Sequence, residues 1–254
     1  MEERFTAQMY VDYHTKQKGI SVTDIGVAPI VVIAWGLKVL QSLAETVDAQ
    51  RCPHWFYHDR NPLYTGEIHG QRVSFLLAPV GAPGTVMMME ELIACSAQVL
   101  LGLGLAGSLQ PTAPIGTMLV PTACIREEGT SLHYLSPEIP VTPDKELVEL
   151  LQASAQAEGV NLISGPVWTT DAPYRELRNK IEAYRKQGIL GVDMETSAMY
   201  ALGQFRSVKV GNLLIVSDEL WHEWNLAFQS VELQRASTLA QRIILRCLSS
   251  NIPL

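Results

Sequence analysis

Glu195 and Asp218 are the two acids of this chain best placed to do chemistry. Glu195 lies in Gly191-Val-Asp-Met-Glu-Thr-Ser-Ala, where a helical pattern begins. Asp218 follows Ser217 at the end of the apolar run Asn212-Leu-Leu-Ile-Val. In open α/β sheets small molecules bind beyond the carboxyl ends of strands and at helix N-termini, so both acids are expected beside a ligand. One can accept hydrogen bonds from a sugar, and the other can give or take a proton. Taken singly, each also fits an ordinary role as a glutamate at a helix start or an aspartate at an N-cap.

A second stretch, Gly102-Leu-Gly-Leu-Ala-Gly107, matches the spacing G-x-G-x-x-G. That spacing holds a dinucleotide only when a helix begins inside it, and Pro111 and Pro114 forbid a regular helix over the next residues. Small residues here instead suit a strand-to-loop crossing where a ligand approaches the backbone. Arg126 and His133 are polar residues among apolar ones and are expected in hydrogen-bonded structural roles. Met87, Met88 and Met89 are expected as core filler and subunit interface.

Gly188-Ile-Leu-Gly-Val-Asp-Met-Glu-Thr-Ser-Ala followed by Ile215-Val-Ser-Asp resembles the nucleoside phosphorylase/uridine phosphorylase family. The methylthioadenosine/S-adenosylhomocysteine nucleosidases, its hydrolytic cousins, share the pattern. The resemblance runs from about Leu63 through the last helix. It implies that Met194 and Glu195 hold the ribose and that Asp218 assists the leaving base. Val192, Ser217, Ala106 and Gly107 are implied as further substrate contacts. Val80-Gly-Ala-Pro-Gly-Thr is similar to a family loop that gives backbone contacts. Val167-Trp-Thr-Thr-Asp171-Ala-Pro-Tyr-Arg175 resembles the base-pocket segment, with Pro173 where an aromatic residue usually stacks on the base and Trp168 as a candidate aromatic wall. The insertion that marks uridine specificity is absent, which disfavours a pyrimidine.

The phosphate elements of the resembling family are where this sequence departs. An arginine is replaced by Gly102 and a hydroxyl residue by Leu105. The Gly-Asp-Pro loop with its following arginine becomes Ile33-Ala-Trp-Gly-Leu-Lys38, which keeps Gly36 alone. A phosphate dianion needs charge-assisted donors, most often arginine. Lys38 and Arg60 are the candidate replacements, Arg60 reaching in from a neighbouring subunit.

These residues need a scaffold of alternating strands and helices. Pro29–Ala34 reads as a buried strand, and Gly36 opens a helix with Leu37, Leu40, Leu43 and Val47 on one face. Residues Met1–Thr23 are expected to be largely irregular, with room for a short helix. Leu63–Ile68 and Arg72–Pro79 read as strands joined by a tight turn at His69-Gly70. A helix capped by Thr85 is expected through Cys95, then strands from Val99 and Gly116. A helix over Pro143–Glu158, a strand over Asn161–Val167 and a helix over Tyr174–Gln187 follow, and Val231–Leu248 closes the chain as an amphipathic helix. The pattern is α/β. The family resemblance implies a single three-layer domain over 1–254 with a mixed, barrel-like central sheet flanked by helices, assembled as a homo-oligomer (dimer, trimer or hexamer).

With 254 residues, nearly half of them apolar, the chain can bury a sizeable core without linkers. Its net charge of −7 with scattered Lys and Arg argues against a nucleic-acid footprint. Neither a leader nor a membrane span is expected, since Ile25–Leu37 is too short and holds Pro29. Four cysteines without a C-x-x-C pair fit reduced thiols in a cytoplasmic protein. The six histidines lack metal-ligand spacing, and no metal or cofactor is expected. The expectation is a nucleoside phosphorylase-type pentosyltransferase acting on a purine-type nucleoside with phosphate as acceptor. The alternatives are a nucleosidase that uses water and a non-catalytic nucleoside-binding protein.

Overall fold

The computed structural model describes residues 3–250 and 252. Strand β1 (Ile30–Ala34) is buried throughout, as its unbroken apolar run requires. Helix α1 (Ala7–Lys18) precedes it; Thr6 accepts from the Met9 N–H and Gly19 closes the helix in the left-handed region. The N-terminal stretch is thus more regular than its polar composition suggests. Helix α2 (Leu37–Thr46) begins after Gly36 and buries Leu40, Leu43 and Ala44, while Leu37 stays exposed.

The short β2 (Gln50–Arg51) pairs with β3 (Leu63–Ile68), which returns as β4 (Gln71–Leu77). His69 and Gly70 turn the hairpin with φ of 50° and 81°, the left-handed pair that a two-residue hairpin favours. Helix α3 (Ala82–Ala94) starts from Gly81, earlier than the expected N-cap Thr85. Thr85 lies inside the helix, where its hydroxyl donates to the Pro79 carbonyl and accepts from the Trp35 indole N–H. Met88 and Met89 are buried and Met87 is exposed.

Strand β5 (Val99–Ser108) absorbs the whole glycine-rich stretch, which is therefore strand and not a loop crossing. Strand β6 (Met118–Glu127), helix α4 (Lys145–Ala157) and strand β7 (Ile163–Thr170) follow. The expected helix over Tyr174–Gln187 is interrupted. A 3-10 turn at Pro173–Arg175 is separated from α5 (Arg178–Lys186) by Glu176 and Leu177. Strand β8 (Gly191–Asp193), helix α6 (Thr196–Arg206), strand β9 (Lys209–Glu219), the short β10 (Asn225–Leu226) and helix α7 (Val231–Ser249) complete the chain.

Strand pairing closes a ring. β5 runs parallel to β9 and antiparallel to β8, β9 meets β6 antiparallel, and β6–β7–β8 are parallel. β1, β4, β3 and β2 extend from the other edge of β5 as a wing. The result is a single three-layer α/β domain with a mixed, barrel-like sheet flanked by helices. β8 and β9 run in opposite directions on either side of β5, with Val192 and Asp218 both level with Gly107, and Glu195, just beyond the short β8, lines the same cavity as Asp218. Among the described residues no helix is long and apolar enough to cross a membrane.

Candidate active site

Glu195 stands between β8 and α6, and a buried polar network fixes its backbone. Asp193 accepts from the Thr196 N–H at 3.0 Å, from the Thr196 hydroxyl, and from the Thr169 hydroxyl at 2.7 Å. The Ser197 N–H donates to the Thr169 hydroxyl at 3.1 Å, and the Ser197 hydroxyl donates to Glu128 at 2.8 Å. These bonds satisfy the first orphan donors of α6 and lock the entry angle of the helix. The Glu195 side chain accepts from the Gly81 N–H at 2.5 Å, tying the loop before α3 to the floor of the site. Gly81 has φ of 103°, which suits glycine and aims that N–H inward. Burial first, and the neighbouring Asp193 charge second, push the Glu195 carboxyl up to about 8, against the lowering pull of the Gly81 and Met194 N–H groups.

Asp218 lies one residue from the end of β9, at 9% exposure. Its Oδ1 accepts from the Ser217 hydroxyl at 2.7 Å and its Oδ2 from the Trp224 indole N–H at 2.9 Å. β9 bulges at Ser217, opposite the step from Ala106 to Gly107 of β5, so that Gly107 faces Asp218. A Cβ on Gly107 would meet Leu220 at 2.5 Å and the Asp218 carboxylate at 3.3 Å, so the bare backbone there keeps the acid accessible.

Glu195 and Asp218 open into one cavity of about 1140 Å³, a little above the usual range of ligand-site volumes. Met194, Val192, Ala106, Gly107, Ser217 and Pro173 line it too, as does the α2 entry with Gly36 and Lys38. Two expected site residues do not join them. Trp168 is 1% exposed and packs edge-on against Tyr184, with Lys180 over its ring, because its register on β7 turns it into the core. Arg60 is an exposed loop residue outside the cavity of its own chain. Arg126 is structural as expected, donating to Ser131 and to the Leu135, Ser136 and Ile139 carbonyls. His133 is instead exposed.

The structure also adds residues that the sequence did not single out. Trp224 reaches Asp218 from the segment after β9, and Glu176 and Arg178 line the cavity from the interrupted helix. Asn212 occupies the space beside Gly102, where a Cβ would stand 2.3 Å from its Oδ1. Its amide donates to the Thr196 hydroxyl at 2.7 Å. A polar residue opening the apolar run of β9 was the available signal. The position expected to hold an arginine is therefore filled, and Leu105 presents an apolar, 45% exposed side chain to the cavity.

Residues 29–249 match the family described as the phosphorylase superfamily. The chain belongs to that superfamily. A uridine phosphorylase of Treponema pallidum (strain Nichols) is 32% identical over 176 residues, which cover 65% of this chain and 68% of the relative. A guanosine phosphorylase of Halorubrum lacusprofundi is 29% identical over 141 residues, covering 56% of this chain and 58% of the relative. The crystal structure of purine nucleoside phosphorylase from Toxoplasma gondii in complex with immucillin-H superposes with a TM-score of 0.82, at 24% identity, over 89% of this chain and 92% of that one. At that identity the likeness speaks for the fold. Superfamily membership accounts for the ring of strands that brings β8 and β9 to one opening.

Proposed function

We propose that the cavity binds a purine-type nucleoside and that the chain cleaves its N-glycosidic bond as a pentosyltransferase, with phosphate as the acceptor. The observation that carries this is the meeting of Glu195 and Asp218 in one cavity from two different strand ends. Cleaving a ribosyl–base bond builds positive charge on the sugar and negative charge on the base. Glu195, with Met194 beside it, suits the ribose hydroxyls, where ionised it offsets part of the sugar's positive charge. Asp218 suits the departing base. A purine is favoured by the size of the cavity and by its apolar lining, which includes Pro173, Ile181, Leu220, Trp224 and Phe228.

The acceptor would enter at the start of α2, where Gly36, Lys38 and the helix N-terminus supply donors. One observation favours water as a second reading. Asn212 and Leu105 occupy the places where phosphate-binding groups are expected, so Lys38 would serve nearly alone. A non-catalytic binding protein is disfavoured because both acids are present and face the cavity.

Base release from inosine, guanosine, adenosine and uridine tests the substrate class. Faster release from the purine nucleosides is expected; faster release from uridine would overturn the purine assignment and leave the fold and family untouched.

A further inference from the structure

We propose that Glu176 donates the proton to the departing base, with Asp218 as its charged partner, a step that rests on the N-glycosidic cleavage proposed above. Both oxygens of Asp218 already accept hydrogen bonds, from Ser217 at 2.7 Å and Trp224 at 2.9 Å. Asp218 is thus held as an acceptor, while a leaving base needs a donor.

Glu176 supplies what Asp218 lacks. It lies in the break between the 3-10 turn and α5, is partly buried, and lines the same cavity. Among the described residues it accepts no hydrogen bond and pairs with no cation; the nearby Arg178 pairs with Glu223 at 3.7 Å. Burial first, and the Asp218 charge second, push its carboxyl up to about 7. Tyr174 and Arg178 flank it on its own segment, and Asp218, His222 and Glu223 face the cavity from β9 and the segment beyond. Glu195 and Asp193 also line it, with Lys38 at the α2 entry. Burial and the Asp218 charge thus keep a proton on Glu176, the one of these two carboxyls that has no hydrogen-bond donor among the described residues.

In the step, the C1′–N bond breaks and its electron pair stays with the base nitrogen. The Glu176 proton moves to the base, forming a new N–H, and Glu176 is left as a carboxylate. The acceptor oxygen bonds to C1′. Once the base leaves, repulsion from Asp218 favours return of a proton from solvent.

The test compares inosine with p-nitrophenyl β-D-riboside, whose leaving group departs as a stable anion and needs no proton. Glu176→Gln should lower kcat on inosine by ~10²-fold or more while losing less than about tenfold on the nitrophenyl riboside. Wild-type kcat on inosine should fall as pH rises through about 7, and this limb should vanish in the variant. Combining Glu176→Gln with Asp218→Asn should cost little beyond the larger single loss, because the two act as a unit. Equal losses on both substrates, or an unchanged inosine rate, would overturn the assignment of Glu176. A wild type that cleaves neither substrate would instead overturn the functional reading, and this proposal with it.

Discussion

Glu195 sits in a buried place beside a second carboxylate, and its pH behaviour follows from that. Folding raises it from an ordinary 4.5 to about 8, so between those values the folded chain holds more protons than the unfolded one. The stability from protonated Glu195 is full below about 4.5 and is lost as pH rises through about 8. Thermal unfolding of the ligand-free protein across that window should show a decline that Glu195→Gln reduces. Riboside affinity should run the opposite way, rising with pH to a plateau above about 8, because the ionised carboxylate is the better acceptor for hydroxyls. Glu195→Ala should weaken a riboside by roughly 1.5–3 kcal/mol per lost hydrogen bond and its free base far less, as calorimetry on the pair would show. Equal losses on both ligands would remove Glu195 from the sugar. Asp218→Asn keeps the size of the side chain and loses its charge, so turnover on purine nucleosides should fall within the ~10²–10⁴ range of acid–base assistance with the fold intact. These two acids were legible in the sequence because each sits at a boundary between an apolar run and a helix or loop. Glu176 was not, since a glutamate between Arg175 and Arg178 looks like any solvated helical residue until the helix is seen to break there.

At the scale of elements, β5 and β9 decide what the site can hold. Their parallel register sets Gly102 opposite Asn212, and Asn212 fills the space that a side chain at Gly102 would need. Gly102→Ala should therefore destabilise the protein by about 1–3 kcal/mol, the usual cost of overpacking. Removing the obstructing amide with Asn212→Ala in the same chain should recover part of that loss, less the hydrogen bond to Thr196. Denaturant unfolding of the single and double variants would check this; a Gly102→Ala protein as stable as the parent would mean that the space is not filled. The strands themselves were readable from short β-branched and apolar runs, and the β3–β4 hairpin from His69-Gly70. Closure of β5–β9–β6–β7–β8 into a ring came from the family resemblance, because local pattern carries no information on which distant strands pair. The same limit misplaced Trp168: its position in the segment was correct, but which face of β7 it occupies depends on register.

For the whole molecule, the acceptor site is the part a single chain completes least. Among the described residues Lys38 is the one cationic side chain lining the cavity at the α2 entry, and Arg60 is an exposed loop residue outside that cavity. Phe5 ahead of α1, and Met9, Tyr13, Met87 and Phe205 on α1, α3 and α6, are exposed apolar side chains that the expected homo-oligomer would cover. In that assembly Arg60→Ala should leave the mass seen by light scattering unchanged and abolish any rate increase that phosphate brings. A phosphate dependence untouched by Arg60→Ala would place that arginine outside the site. A dianion loses much hydration on entering a pocket, and few charged donors remain here to offset that, so phosphate should bind loosely. The measurement closest to the central claim is the initial rate of base release from a purine nucleoside across phosphate concentrations, with the sugar product identified. Base release should climb gradually with phosphate and yield ribose 1-phosphate, with free ribose where water competes. No base released at any phosphate concentration, from a protein that binds the nucleoside, would contradict cleavage at this site.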